Sequence, residues 1–191
     1  MKHENAVQSV NYYNVINIKS EILFREAEDN FLYFNKLKKA ENKLNEALEL
    51  TPLHSKSNIL KGDICFIKGK MQEAFEHYKK AEIFAPNNSK VLASVANCLE
   101  AQKDYNNALK YCNKAFLMLN EDNIQLTTPL YELKTSILLK LKRYEEAKHF
   151  ISQAKNNLAL DDVTCLKSHK KDLNTKLKLK KRILASNLQV L

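Results

Sequence analysis

A chain of 191 residues with a net charge of +9, 45% hydrophobic and 28% charged, is long enough to bury a core and too apolar to stay disordered. Two glycines and three prolines are too few for a sheet fold rich in tight turns, so long helices joined by short turns are expected. No run approaches the roughly eighteen apolar residues of a membrane span, and the opening MKHENAVQSVNYYN is too polar for a secretory signal, so a cytoplasmic protein without a membrane span is expected.

Residues 1–20 form an N-terminal extension of weak periodicity, for which an extra helix and a partly mobile segment both remain open. From residue 21 the chain repeats itself. Ala40, Ala74 and Ala108 stand 34 residues apart, as do Ala47, Ala81 and Ala115, and Pro52 and Pro86 keep the same step. The first unit, 21–54, has Phe24, Ala27, Glu28 and Phe31, then Ala40, Leu44, Ala47 and Pro52. The second, 55–88, reads SKSNILKGDICFIKGKMQEAFEHYKKAEIFAPNN, with Gly62, Ala74, Tyr78, Ala81 and Pro86, and a tight turn at Gly69. The third, 89–122, carries Leu92, Ala96, Leu99, Ala108, Cys112 and Ala115, with Asn120 where a proline would close it. The fourth, 128–161, carries Tyr131, Thr135, Leu138, Ala147, Ile151 and Ala154. It is displaced by five residues in the polar stretch NEDNIQLTT, and Thr128–Pro129 reads as its helix start. Residues 162–191 close the chain as an amphipathic basic helix with a tail. Asp161 and Asp162 offer an N-cap, and Leu166, Leu173, Leu177 and Leu184 share one face, a stripe fit to cap the array.

These alanines, the glycine, the aromatic residues and the closing prolines, spaced by 34, resemble the tetratricopeptide repeat family, over roughly residues 21 to 161. The family's usual tryptophan is Asn58 here. The resemblance implies an all-α α-solenoid of about four antiparallel helical hairpins, a right-handed superhelix with a concave groove, here completed by the C-terminal capping helix. One hairpin cannot bury both faces alone, whereas stacked hairpins can. It implies a protein-interaction module, whether scaffold, adaptor or chaperone-like, that holds a peptide or helical segment of another protein. The first helix of each hairpin lines the groove in that family, which points to Arg25, Asp29, Lys56, Ile59, Asp63, Phe66, Lys90, Ala93 and Asn97. Some members clamp chaperone C-terminal carboxylates with cations and asparagines. Here Asp29, Leu60 and Ser94 occupy clamp positions, so Hsp70 and Hsp90 tails are not expected to bind.

Residues 163–191 hold eight Lys or Arg against one acid, a local charge of +7. Lys176, Lys178, Lys180, Lys181 and Arg182 form a basic patch that gives the alternative reading, a nucleic-acid-associated factor. No aromatic residue is interleaved to stack on bases, which favours a solvated capping face. Chemistry is not foreseen. His3, His54, His77, His149 and His169 are scattered, and Glu146-x-x-His149 lacks the second motif and the further glutamates of a di-iron site, so no metal is expected. Two glycines cannot build a phosphate loop or a dinucleotide fingerprint, so no cofactor is expected, and no catalytic residue is assigned. Cys65, Cys98, Cys112 and Cys165 form no C-x-x-C pair and read as buried thiols. Exposed apolar residues at Phe24, Phe31 and Phe34 leave open a homodimer through the first helix.

Overall fold

The structure is a computed structural model that describes residues 2–120, 127–157, 171–176 and 178, with side chains from Tyr13 onward and without those of 155–157. The fold is all-α helical repeat. Among the described residues the helices run in order α1 (Lys2–Leu32), α2 (Leu37–Leu50), α3 (Ser55–Ile67), α4 (Met71–Phe84), α5 (Ser89–Ala101), α6 (Tyr105–Leu117), α7 (Thr127–Lys140) and α8 (Tyr144–Asn157). Residues 171–176 are also helical. Two compact units divide the chain, Met1–Pro86 with α1 to α4 and Asn87–Leu191 with the remainder.

In the first unit α1 pairs with α2 and α3 with α4, and α3 also packs on α2 and α1. The alanines of the repeat lie at these crossings. Ala27, Ala40, Ala47, Ala74 and Ala81 are fully buried, because only a methyl group fits where two helix backbones close in. Phe24, Ala27, Ala40, Leu44, Leu60 and Ile64 form one core, with Phe31 and Leu37 packed against it. Gly62 meets a stricter demand: a Cβ there would stand 2.6 Å from Cε1 of Tyr78, so α3 and α4 approach to glycine distance. Phe24, expected at the surface, belongs to this core, and Phe31 is half covered by it. Of the three phenylalanines only Phe34 is largely exposed. Helix α1 runs unbroken through the extension into the first hairpin.

In the second unit α5 pairs with α6, and α7 packs on both α6 and α8. Ala96, Ala108, Ala115, Ala147 and Ala154 are fully buried, along with Val91, Val95, Cys98 and Cys112. Phe116, Tyr131 and Phe150 join α6, α7 and α8 in an aromatic cluster, with centroids 5.2 Å apart for Phe116–Tyr131 and 4.7 Å for Tyr131–Phe150. The α5 and α6 starts are capped by Asn88 and Asp104, which accept the amides of Val91 and Asn107. Helix α7 begins at Thr127, one residue before the expected start, with Pro129 in its first turn, where a missing amide hydrogen costs nothing. Leu173 is buried, whereas Asp161, Asp162, Leu166 and Leu184, and the Leu177 side chain, lie outside the described residues.

All four hairpins turn on one residue in the left-handed region: Asn35 (φ 49°), Gly69 (φ 75°), Lys103 (φ 66°) and Lys142 (φ 59°). The first three stand at the repeat's own step of 34. After each of them the next amide reaches back across the helix end, Lys36 to the Asn30 carbonyl at 2.8 Å, and Lys70 to Cys65, Asp104 to Leu99 and Arg143 to Leu138 at 2.9 Å. This bond closes the helix and sets the reversal of direction.

Candidate functional site

The face shared by α1 and α3 is built by helical spacing. On α1, residues 18, 22, 25 and 29 recur on one side. Ile18 and Ile22 are 61% and 52% exposed, and Arg25 and Asp29 are exposed beside them. On α3, Lys56, Ile59, Asp63 and Phe66 form the matching stripe, with Ile59, Asp63 and Phe66 half-buried and Lys56 exposed. Six of the residues named from sequence sit on these two stripes, Arg25 and Asp29 on α1 and Lys56, Ile59, Asp63 and Phe66 on α3. Ile18 and Ile22 complete the stripe and were not foreseen; the available signal was their spacing, Ile22 standing four residues after Ile18, three before Arg25 and seven before Asp29.

Glu21 ties the two helices together. Lys56 Nζ donates to its Oε1 at 2.7 Å, His54 Nε2 lies 3.3 Å from Oε2, and Arg25 Nε is 3.6 Å from Oε1. The hydrogen bond from Lys56 holds the Glu21 carboxyl below its ordinary range. Lys56 also sits 5.7 Å from the centre of the Phe24 ring. At the other end, the Tyr78 hydroxyl reaches past Gly62 to donate to Asp63 Oδ1 at 2.8 Å. Asp63 is therefore braced to α4 and does not stand free of the fold.

Behind α3, Asn58 occupies the position of the expected tryptophan, and it is fully buried. Its Nδ2 donates to the carbonyls of Pro52 (3.0 Å) and His54 (3.1 Å), and its Oδ1 lies 2.9 Å from His77 Nδ1. Two carbonyl acceptors fix which end of the amide is NH₂, so His77 carries its proton on Nδ1. Burial pushes the His77 pKa down, and Lys80 and Lys61 add to the shift. These residues border an open cleft of ≈ 360 Å³ together with Asn45, Leu48 and Glu49.

In the second unit, Lys90 is exposed on α5, and Ala93 and Asn97 are half-buried along the same face. Ser136 of α7 donates to Glu100 Oε1 at 2.6 Å and links the two helices there. Lys134 lies over the rings of Phe150 (4.4 Å) and Phe116 (5.4 Å), half-buried, and that burial lowers its pKa. Of the basic patch, Lys176 pairs with Asp172 at 2.6 Å and Lys178 is exposed, while Lys180, Lys181 and Arg182 lie outside the described residues. Glu146 is held by Arg143 (Nε–Oε1 2.5 Å), and His149 is exposed. Among the described residues no group of three or more His, Cys, Asp or Glu could hold a metal ion, and no helix is long and apolar enough to cross a membrane. Cys65, Cys98 and Cys112 are buried free thiols, with burial raising Cys98 to about 11 and Cys112 to about 12; Cys165 lies outside the described residues.

Residues 29–89 match the tetratricopeptide repeat family. The chain is 27% identical over 144 residues to the DnaJ homolog subfamily C member 7 homolog of Schizosaccharomyces pombe, a match covering 69% of this chain and 29% of that protein. It is 31% identical over 94 residues to BBSome complex member BBS4 of Bos taurus, covering 49% of this chain and 18% of the relative. The chain thus spans less than a third of the length of these relatives. Among solved structures, that from the functional characterization of Pseudomonas aeruginosa pilF superposes with a TM-score of 0.65 at 17% identity, over 91% of this chain and 74% of that one. A chain of Naa15/Naa10 bound to HypK-THB gives a TM-score of 0.53 at 17% identity, over 90% of this chain and 25% of that one. At such identities both likenesses bear on the fold alone.

Proposed function

We propose that the chain, whose residues 29–89 match the tetratricopeptide repeat family, is a protein-interaction scaffold that holds a segment of another protein on the open faces of its first-of-pair helices. The observation that carries this reading is the face of α1 and α3, where Ile18 and Ile22 are exposed and Ile59 and Phe66 half-covered, with charged residues alternating between them. Apolar side chains spaced along a groove and framed by charge suit a peptide or helix laid into it. Arg25, Asp29, Lys56 and Asp63 on this face, and Lys90, Ala93 and Asn97 on α5, are the residues proposed to meet the partner. A chaperone-tail carboxylate is not the proposed ligand, because Asp29 presents a like charge and Lys56 and Arg25 are engaged by Glu21.

The test is affinity capture from nuclease-treated lysate with the full chain, Ile22→Asp and Ala93→Arg. Proteins held by the full chain and lost from either variant support the reading, provided both variants keep the parent's helical circular dichroism and melting temperature. Identical capture by all three refutes it.

A further inference from the structure

The open cleft behind α3 is lined by a cation that the fold leaves short of partners. Lys61 of α3 is only 15% exposed at its side chain. Its ammonium has three hydrogens to give, and Asn45 Oδ1, a neutral acceptor, takes one at 2.9 Å. The carboxylate in reach, Glu41, stands 4.0 Å off and accepts Lys68 at 2.6 Å. A charge so far withdrawn from water is costly until an acceptor meets it closely. Lys80 lines the same cleft from α4, exposed and with no paired carboxylate among the described residues. Against these two bases the described lining sets one acid, Glu49 of α2. His77 registers the balance. Its Nδ1 is spent on Asn58, and Nε2 meets no protein group among the described residues. After burial, the first cause of its low pKa, Lys80 and Lys61 act on it more strongly than Glu73 and Glu76, which push the other way and are held by Lys70 (2.8 Å) and Gln72 (3.1 Å). Leu48 and Pro52 give the cleft an apolar side.

We propose that this cleft binds a small organic anion, its carboxylate or phosphate group between Lys61 and Lys80 and its apolar part against Leu48 and Pro52. The volume of ≈ 360 Å³ suits a small molecule. A filled site places a negative charge opposite the two bases, so His77 then takes its proton on Nε2 more readily. A cationic ligand would gain Glu49 and face both bases. Helical spacing puts Asn58 and Lys61 on the opposite side of α3 from Ile59 and Phe66, so this site stands independently of the interaction reading above.

The experiment follows the His77 imidazole of the full chain by long-range proton–nitrogen-15 spectra while benzoate, phenyl phosphate or benzylammonium is added at constant ionic strength. Saturable shifts with either anion below about 10 mM, and none with benzylammonium, are expected, the tighter anion naming the head group. The His77 pKa should rise in the bound state. Lys80→Gln and Lys61→Gln should each weaken the anion by about fivefold, and Glu49→Gln should tighten it. Lys80 and Glu49 are exposed, so their substitution leaves the fold intact even where Lys61→Gln disturbs it. No saturation with either anion, an equal response to benzylammonium, or binding indifferent to Lys80→Gln overturns the proposal.

Discussion

Removing the Asn58 side chain should destabilise the first unit by about 2–4 kcal/mol, and the figure follows from its three hydrogen bonds. In Asn58→Ala the His54 carbonyl keeps a partner, because it also accepts the residue's own backbone amide at 3.0 Å. The Pro52 carbonyl and His77 Nδ1 lose theirs. An orphaned buried polar group costs about 1–3 kcal/mol, and Pro52 is exposed enough for water to reach its carbonyl, which holds the sum in the lower half of the range. Asn58→Asp should be no better, since a carboxylate would face two carbonyl oxygens. Urea unfolding followed by circular dichroism gives the free energy, and a cycle with His77→Ala isolates the shared bond, with about 1 kcal/mol of coupling expected. Nitrogen-15 spectra of the imidazole should report the proton on Nδ1. A loss under about 0.5 kcal/mol in Asn58→Ala, or a proton on Nε2, refutes the network as described.

Lys103→Gly and Lys142→Gly should each stabilise the chain by up to about 1 kcal/mol in the same urea assay, since the left-handed turn strains a side chain, while Gly69→Ala should cost a similar amount. Gly62→Ala should lower the melting temperature by several degrees, as its new methyl group would sit inside contact distance of the Tyr78 ring; an unchanged melting curve would show that α3 and α4 can part at no cost. His77 is held below its ordinary pKa of 6.5, so the unfolded chain takes up its proton first. Stability from this group is intact above about pH 6.5 and falls as the pH drops from there toward the lowered folded value, a slope that His77→Gln should flatten. Cys98 and Cys112, with pKa values raised to about 11 and about 12, should resist iodoacetamide at pH 8 until the chain is unfolded, as peptide mass mapping will show.

The hairpin pattern was legible in the sequence because close helix crossings accept only small side chains, and Ala40, Ala74 and Ala108 announce them at a fixed step. The polar interior behind α3 was not. An asparagine standing for a tryptophan reads as a lapse in the repeat, and only three dimensions show that His77, nineteen residues later, arrives to complete its hydrogen bonds. Ile18 and Ile22 were missed for a different reason. The opposite side of α1 carries Leu23, Phe24 and Ala27 into the core, and a helix apolar on two sides loses the contrast that periodicity measures. The same helix misled the reading of Phe24, which spacing alone could not assign to the inner side. Asp63 follows Lys56 by seven residues, which places both on one side of α3, but its tie to Tyr78 depends on the glycine at 62 letting the ring pass.

Helix α1 has 31 residues and its hairpin partner α2 has 14. At about 1.5 Å per residue the mismatch is roughly 25 Å of rod. Ser20 marks where the partner ends, since its hydroxyl meets Thr51 Oγ1 at 2.8 Å just beyond α2. Amide hydrogens on the two sides of that point therefore exchange with solvent through different events. Beyond Ser20 toward Leu32, exchange needs the hairpin to open; before Ser20, helix–coil fluctuation is enough. Deuterium uptake along this one helix should fall in a step near residue 20, and a partner gripping Ile18 and Ile22 would move that step toward the N-terminus.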